Sequence, residues 1–375
     1  MLNLFQKYRP LTFKDVVGHE IQLKELQKRA RDKNFPQCIY ITGYTGTGKT
    51  VLSRIIAKSL ICKNLDKDGN PCNECKECIA INTEQELLNY FEENGSNCNI
   101  DRMREIEEIS KKRIMFSDSS VKVFYIDELQ EIASKSKEAL KNLLKLLEKP
   151  NKNNYFILGS MEDSGIPEAV RNRCVTYKLK LLTKEDISNR LAYICEKEGV
   201  VLDTEEKANV VFTIAENSRG SLRTAISYLE RCIYGNIWKE EEVIKELEIF
   251  SDAQTNNIIT NLLVGKAQKD VEFNEKIIDT ITYKLVNLYK AMGDNNLTPY
   301  QKSLISGIGL PSRDKRQNIE IIENSLHLLY ELHKYSYVTK ALTEYTILFI
   351  QNSNRNILDR YKNSEVRIPR VPRQV

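Results

Sequence analysis

No stretch of about 18 uninterrupted apolar residues occurs in the 375-residue chain, so nothing in it reads as a membrane span. The opening residues, Met1 to Lys7 (MLNLFQK), lack the basic, apolar and small-residue sections of a secretory signal. The expectation is a protein that stays in the cytoplasm. An excess of one charge is also missing, since 56 basic residues face 52 acidic ones and leave a formal balance of +4. That balance does not demand a nucleic-acid partner, and it permits one if basic residues gather on one surface. Internal repeats and long low-complexity tracts are absent as well, which excludes repeat architectures. Nine cysteines are present without an export signal, and four of them crowd into Cys62–Cys78. In a reducing compartment that pattern favours metal binding over disulfides.

What is there is ordinary for a globular protein, with 41% hydrophobic and 29% charged residues. The length is too great for one core and predicts two or three domains. Through about residue 178, short apolar runs alternate with amphipathic segments. This is the pattern of an α/β fold, a parallel sheet with helices on both faces. Gln37–Thr42, Val121–Ile126 and Tyr155–Gly159 read as core strands, and Val51, Leu52, Ile55, Ile56 and Leu60 recur at helical spacing. Beyond Leu179 the strand signals fade. Thr183 and Asp186 form a capping pattern that opens a small helical region at 179–243. A third, helical region at 244–363 carries the stripe Ile278, Ile281, Leu285 and Leu288 and the apolar run Ala341–Ile350; such stripes serve as core or as subunit interface. The segment 364–375 is basic and proline-containing, with Arg367, Arg370 and Arg373 spaced to share an edge of a polyproline helix.

The run Gly43-Tyr-Thr-Gly-Thr-Gly-Lys-Thr50 fits the phosphate-binding pattern G-x-x-x-x-G-K-[ST] and lies between a predicted strand and a predicted helix. Gly43, Gly46 and Gly48 let backbone amides close around phosphate oxygens, and the helix start adds a favourable dipole. Lys49 is expected on the β- and γ-phosphates and Thr50 on Mg²⁺, with Thr45, Thr47 and Val51 completing the ATP cradle. The second half is Asp127-Glu128, two carboxylates at the end of an apolar strand and hence at the ligand-binding edge of a parallel sheet. Asp127 is expected to hold Mg²⁺ and Glu128 to polarise the attacking water, which equips the site to hydrolyse ATP as well as bind it. Cys62, Cys72, Cys75 and Cys78 are spaced as four thiolates for one Zn²⁺, with the Asp-Gly-Asn-Pro turn bringing Cys62 back to the others. Four protein ligands leave no open position, so this zinc is expected to be structural. Cys38, Cys98, Cys174, Cys195 and Cys232 read as core residues.

Taken together, these motifs resemble the gamma/tau clamp-loader subunits of bacterial DNA polymerase III, within the AAA+ superfamily. The opening Lys7 to His19 (KYRPLTFKDVVGH) is similar to that family's N-terminal signature, which implies adenine contacts from Tyr8, Arg9 and Val17. The four-cysteine insertion after the phosphate-loop helix and Glu138–Pro150 add to the likeness. The resemblance implies that Arg173 is an arginine finger entering a neighbouring subunit, an effect worth roughly 10³–10⁵ in rate in other systems. It further implies that Arg223 touches the γ-phosphate within its own chain and that Ser160 is the polar sensor. Asn172 stands where the family has serine, and Gly159-Ser160-Met161 where it commonly has consecutive threonines. No counterpart of the long polymerase-binding extension of the tau form is seen, so a short gamma-like or phage-encoded version is expected.

The implied function is the ATP-hydrolysing subunit of a sliding-clamp loader acting on primer-template DNA in replication. It implies a five-membered assembly with further copies of the chain or delta-type subunits, held by a collar at 244–363, behind an ATP-binding domain at 1–178 and a lid at 179–243. DNA would be gripped through phosphates without regard to sequence, and Lys111-Lys112-Arg113 is either a contributor or a solvated helix face. Two rivals are a non-hydrolysing stator-like subunit and another AAA+ motor, such as one for branch migration. The intact Asp127-Glu128 pair speaks against the first and the cysteine insertion against the second.

Overall fold

The computed structural model describes residues 3–112, 121–161, 165–247, 252–266, 275–293, 299–312, 314–333 and 340–365. The chain forms two compact units, Met1–Trp238 and Lys239–Val375. Among the described residues the first unit holds one sheet of five strands: β1 (Cys38–Thr42), β2 (Tyr90–Asn94), β3 (Lys122–Asp127), β4 (Asn154–Ser160) and β5 (Val175–Lys178). Their order is β2-β3-β4-β1-β5 and all four pairings are parallel. Parallel pairing needs long crossovers, and the chain supplies helices for them. After the short α1 (Leu4–Lys7), the helices around the sheet are α2 (Glu20–Arg31), α3 (Lys49–Ile61), α4 (Lys76–Asn82), α5 (Ile100–Lys111), α6 (Leu129–Lys135), α7 (Lys137–Glu148) and α8 (Glu168–Arg171).

Side chains alternate across the strands into two cores. Ile39, Ile41, Val123, Tyr125 and Ile157 pack against Leu26 of α2 and Leu52, Ile55 and Ile56 of α3. Tyr40, Phe124, Ile126, Phe156 and Leu158 face Met103 and Ile106 of α5 and Leu143 and Leu147 of α7. With both faces covered, β1 is buried at every position and reads as a continuous apolar run. Each such fully buried side chain contributes about 1.5–3 kcal/mol. Phe91, Phe124 and Phe156 stack across β2, β3 and β4 with centroids 5.0 Å apart. The scattered cysteines Cys38, Cys98, Cys195 and Cys232 are buried as expected, and Cys174 partly so.

After β5 come α9 (Lys184–Lys197), α10 (Glu205–Asn217) and α11 (Leu222–Gly235). The Thr183–Asp186 capping box opens α9, and Leu191, Ile194, Val210, Ile214, Ala225 and Leu229 form the buried faces of the three helices. The second unit comprises α12 (Glu240–Glu246), α13 (Asp252–Val264), α14 (Glu275–Gly293), α15 (Pro299–Gly307), α16 (Lys315–His333) and α17 (Lys340–Glu365). The stripe Ile278, Ile281, Leu285 and Leu288 lies in its core, together with Ile259, Ile321 and Ile350. Inside this core Asn354 is fully buried and satisfied: it donates to the Leu262 carbonyl and Ser325 Oγ, both at 3.0 Å, and accepts from Asn324 at 2.8 Å. No helix among the described residues is long and apolar enough to cross a membrane. The arginine-spaced segment from Val366 onward lies outside the described residues, as does Arg113.

Candidate nucleotide site and metal centre

The carboxyl ends of β1, β3 and β4 meet at one edge of the sheet, with Thr42 opposite Ser160 and Asp127 opposite Asn94 of β2. Chain leaving β1 turns through Gly43–Gly48 into α3. Two glycines are dictated by geometry. Gly48 has φ 101° at the helix start, and at Gly46 (φ 80°) a Cβ would collide with the Ser221 hydroxyl, the N-cap of α11. The loop therefore lies tightly against the start of the helix that carries Arg223.

Lys49 points into the loop, where its Nζ donates to the carbonyls of Gly43 (2.7 Å) and Tyr44 (3.1 Å). Burial lowers its pKa and Arg223 adds to this, while Asp127 and Glu128 oppose the shift. Thr50 Oγ1 donates to Asp127 Oδ2 at 2.9 Å, joining two motifs 77 residues apart. The second carboxylate oxygen of Asp127 accepts the Glu128 amide at 2.9 Å. Glu128 itself is left-handed (φ 53°), an uncommon conformation for a non-glycine residue that caps α6 and ends the strand.

One cleft is lined by Thr45 through Val51, Asp127, Glu128, Tyr8, Arg9, Val17 and Arg223. Gly43 is absent from its wall and meets the site through its carbonyl, which accepts from Lys49. Ser160 is also absent: it is fully buried and donates to Gln130 Oε1 at 2.8 Å, and its successor Met161 reaches the cleft instead. Arg173 is elsewhere, donating to the Ala169 carbonyl (2.7 Å) and to Glu148 Oε1 (3.0 Å). Lys111 pairs with Glu107 and Glu108 on its own helix at 2.9 and 3.0 Å.

Sequence reasoning missed several wall residues, notably Phe5 and Arg54. Arg54 follows Thr50 by one helical turn, a spacing that could have indicated it. Its guanidinium forks onto Glu92 (2.9 and 2.7 Å) and bonds Glu84 (2.8 Å), which also accepts from Arg9 at 3.0 Å. The Phe5 ring lies under two guanidiniums, Arg223 at 4.8 Å and Arg9 at 5.8 Å. The N-terminal segment is strapped down by Tyr8, whose hydroxyl donates to Glu198 at 2.5 Å and whose carbonyl accepts from Arg190 at 2.9 Å.

The four cysteine sulfurs of Cys62, Cys72, Cys75 and Cys78 lie within 4.8 Å of one another, with Cys62 and Cys72 at 3.5 Å. Thiolates about 2.3 Å from a shared zinc in a tetrahedron stand about 3.8 Å apart, so this donor set fits a closed Cys₄ metal site. Burial pushes the Cys72 thiol up, but amides of Glu74 and Cys75 with help from Cys62 outweigh it and bring it down to about 7. The predicted turn is real: Asp66 accepts from the amides of Asp68 (2.9 Å) and Asn70 (2.8 Å). Lys58 of α3 ties this module down, donating to the Leu11 carbonyl (2.8 Å), Asn73 Oδ1 (2.6 Å) and Asn82 Oδ1 (2.8 Å).

A parallel sheet with a phosphate loop after β1, an Asp-Glu pair after β3 and a Cys₄ insertion between them defines a P-loop module of the AAA+ type. The DNA polymerase III subunit gamma of Buchnera aphidicola from Acyrthosiphon pisum is 32% identical over 75% of this chain and 78% of its own length. That of the Baizongia pistaciae strain is 30% identical over 69% and 68%. The chain belongs to the DNA polymerase III gamma/tau family. Against the Bacillus subtilis DNA polymerase III subunit tau it is 32% identical over 72% of this chain and spans 45% of that relative's length. Residues 18–183 match the family described as DNA polymerase III, delta subunit. Among solved structures, the Thermotoga maritima RuvB Holliday junction branch migration motor matches with a TM-score of 0.46 at 16% identity, over 74% of this chain and 85% of that one. So loose a match has no bearing on function.

Proposed function

We propose that the chain is the ATP-hydrolysing subunit of a sliding-clamp loader, which opens a ring-shaped clamp and places it on primer-template DNA. The observation that carries the reading is the Thr50–Asp127 hydrogen bond inside a cleft that also holds Lys49, Glu128 and Arg223. A non-hydrolysing subunit has no use for that constellation. Membership of the gamma/tau family supports the same reading, and 1–178, 179–243 and 244–363 act in it as ATP-binding domain, lid and collar.

In this mechanism the loop amides and Lys49 hold the phosphates of ATP. Tyr8, Arg9 and Val17 hold the adenine side. Thr50 and Asp127 would hold Mg²⁺, which supplies charge neutralisation on the phosphate oxygens when bound. Glu128 polarises the water that attacks the γ-phosphorus and takes its proton, the bond from that phosphorus to the β–γ bridging oxygen breaks and leaves ADP, and Arg223 neutralises charge on the γ-phosphate. Arg173 serves a neighbouring subunit; within this chain it pairs with the exposed Glu148 at 3.0 Å. The Cys₄ site holds Zn²⁺ as a structural brace.

The test is clamp loading on primed circular DNA with this chain, the cognate clamp and the other loader subunits. Salt-resistant, ATP-dependent clamp retention that disappears when Glu128→Gln replaces the wild type is expected. Equal retention with that variant or without ATP contradicts the proposal.

A further inference from the structure

Phe5 lies in a four-residue helix outside every recognised motif, yet it forms part of the cleft wall. Its ring sits 4.8 Å from the guanidinium carbon of Arg223 and 5.8 Å from that of Arg9. An aromatic face attracts guanidinium through its quadrupole, and the attraction grows as the pair is withdrawn from water. Both partners are fixed to the same element. Leu4, next to Phe5, is 1% exposed, and its amide donates to Glu230 Oε1 at 2.9 Å. Glu230 belongs to α11, and so does Arg223 two turns earlier. The helix that presents the arginine therefore also anchors the ring that holds it. From that seat the arginine faces the phosphate loop: Ser221, two residues before it, packs on Gly46, and its charge bears on Lys49.

We propose that Phe5 is a positioning residue for Arg223: its ring holds the guanidinium over the phosphate loop and so sets how strongly the site prefers a nucleoside triphosphate to a diphosphate. The inference rests on the proposed γ-phosphate role of Arg223 and deepens it. A long arginine side chain without this seat distributes over several rotamers, and the ordering cost then falls on ATP binding. ADP, which lacks the γ-phosphate, does not meet that cost. The predicted defect is thus selective for the triphosphate. A ring that merely stacked on the base would affect both nucleotides alike.

The experiment compares the affinities of the full chain for ATPγS and ADP in the presence of Mg²⁺, by competition against a fluorescent nucleotide. The variants are Phe5→Leu, Phe5→Tyr, Arg223→Ala and the Phe5→Leu/Arg223→Ala double. Phe5→Leu keeps the apolar bulk and loses the π face. It is expected to lower the ATPγS-to-ADP preference about threefold to tenfold, while Phe5→Tyr keeps it. In the double variant the leucine adds nothing to the loss caused by Arg223→Ala. An unchanged preference in Phe5→Leu, or equal weakening of both nucleotides, overturns the positioning role. An unchanged preference in Arg223→Ala overturns the reading of Arg223 itself, and the positioning role with it. If Phe5→Leu fails to fold, Glu230→Ala removes the acceptor of the Leu4 amide, loosens the same seat from α11 and must show the same selective loss.

Discussion

Lys58→Met is the substitution whose cost can be worked most fully from the geometry. Lys58 is 1% exposed, and its ammonium donates to the Leu11 carbonyl, Asn73 Oδ1 and Asn82 Oδ1. These acceptors belong to the N-terminal strap, the cysteine loop and α4, so one cation joins three segments to α3. Methionine matches the chain length and removes both the charge and the desolvation penalty that comes with burying it. It also leaves the Leu11 carbonyl and Asn82 Oδ1 without their donor, whereas Asn73 Oδ1 keeps the Asn82 amide at 3.3 Å. Two orphaned acceptors at about 1–3 kcal/mol each, partly offset by the relieved desolvation, give a net loss of about 3 kcal/mol. For a unit of about 240 residues this corresponds to a fall in Tm of about 6–12 °C. Because Asn73 lies between Cys72 and Cys75, the variant should also lose metal faster to a chelator. Scanning calorimetry on the full chain, with zinc release followed by a chromogenic chelator, measures both. A shift below about 2 °C with unchanged zinc release would refute the argument that Lys58 is a structural tie.

Three further outcomes follow from the same geometry. Lys49→Ala removes the cation seated at the centre of the phosphate loop and should abolish measurable ATP binding by calorimetry; micromolar affinity in the variant would count against the assignment. Cys75→Ser should reduce bound zinc well below the one ion per chain expected of wild type by elemental analysis, and wild-type zinc content in the variant would contradict a Cys₄ site. His19 is half-buried beside the Thr47 carbonyl at 3.1 Å, and burial lowers its pKa below the usual 6.5. The unfolded chain then binds the proton more readily, so the contribution of His19 to stability is present above about pH 6.5 and is lost as pH falls below it. The Tm gap between wild type and His19→Gln should narrow from pH 7.5 to pH 5.5; a constant gap refutes the linkage.

The parts of the fold and site that were legible in the sequence are local ones. β1, β3 and β4 are apolar runs buried on both faces, and a phosphate loop is dictated by glycines at fixed offsets. The edge strands are harder to read. β2 (YFEEN) is paired on one side and half exposed, so its glutamates hide its strand character, and β5 has only four residues. Lys58 and Phe5 were illegible for a different reason, and Arg54 was hinted at only by its place one turn after Thr50. A charged residue on a helix ordinarily faces water and an aromatic one in a short helix ordinarily packs in a core, and only the tertiary arrangement that brings Glu92, Asn73 or Arg223 beside them gives these side chains their meaning. Ser160 shows the converse, since its place on the strand was readable and its partner, Gln130, was not.

The central claim is most directly tested by steady-state ATP turnover of wild type and Glu128→Gln, with and without primer-template DNA and the cognate clamp, at low salt. The account predicts turnover that rises markedly when both are added, and a variant that binds ATP as tightly as wild type but turns over at least 100-fold more slowly. Turnover indifferent to DNA and clamp in the assembled loader, or a Glu128→Gln variant that keeps wild-type turnover, would contradict it.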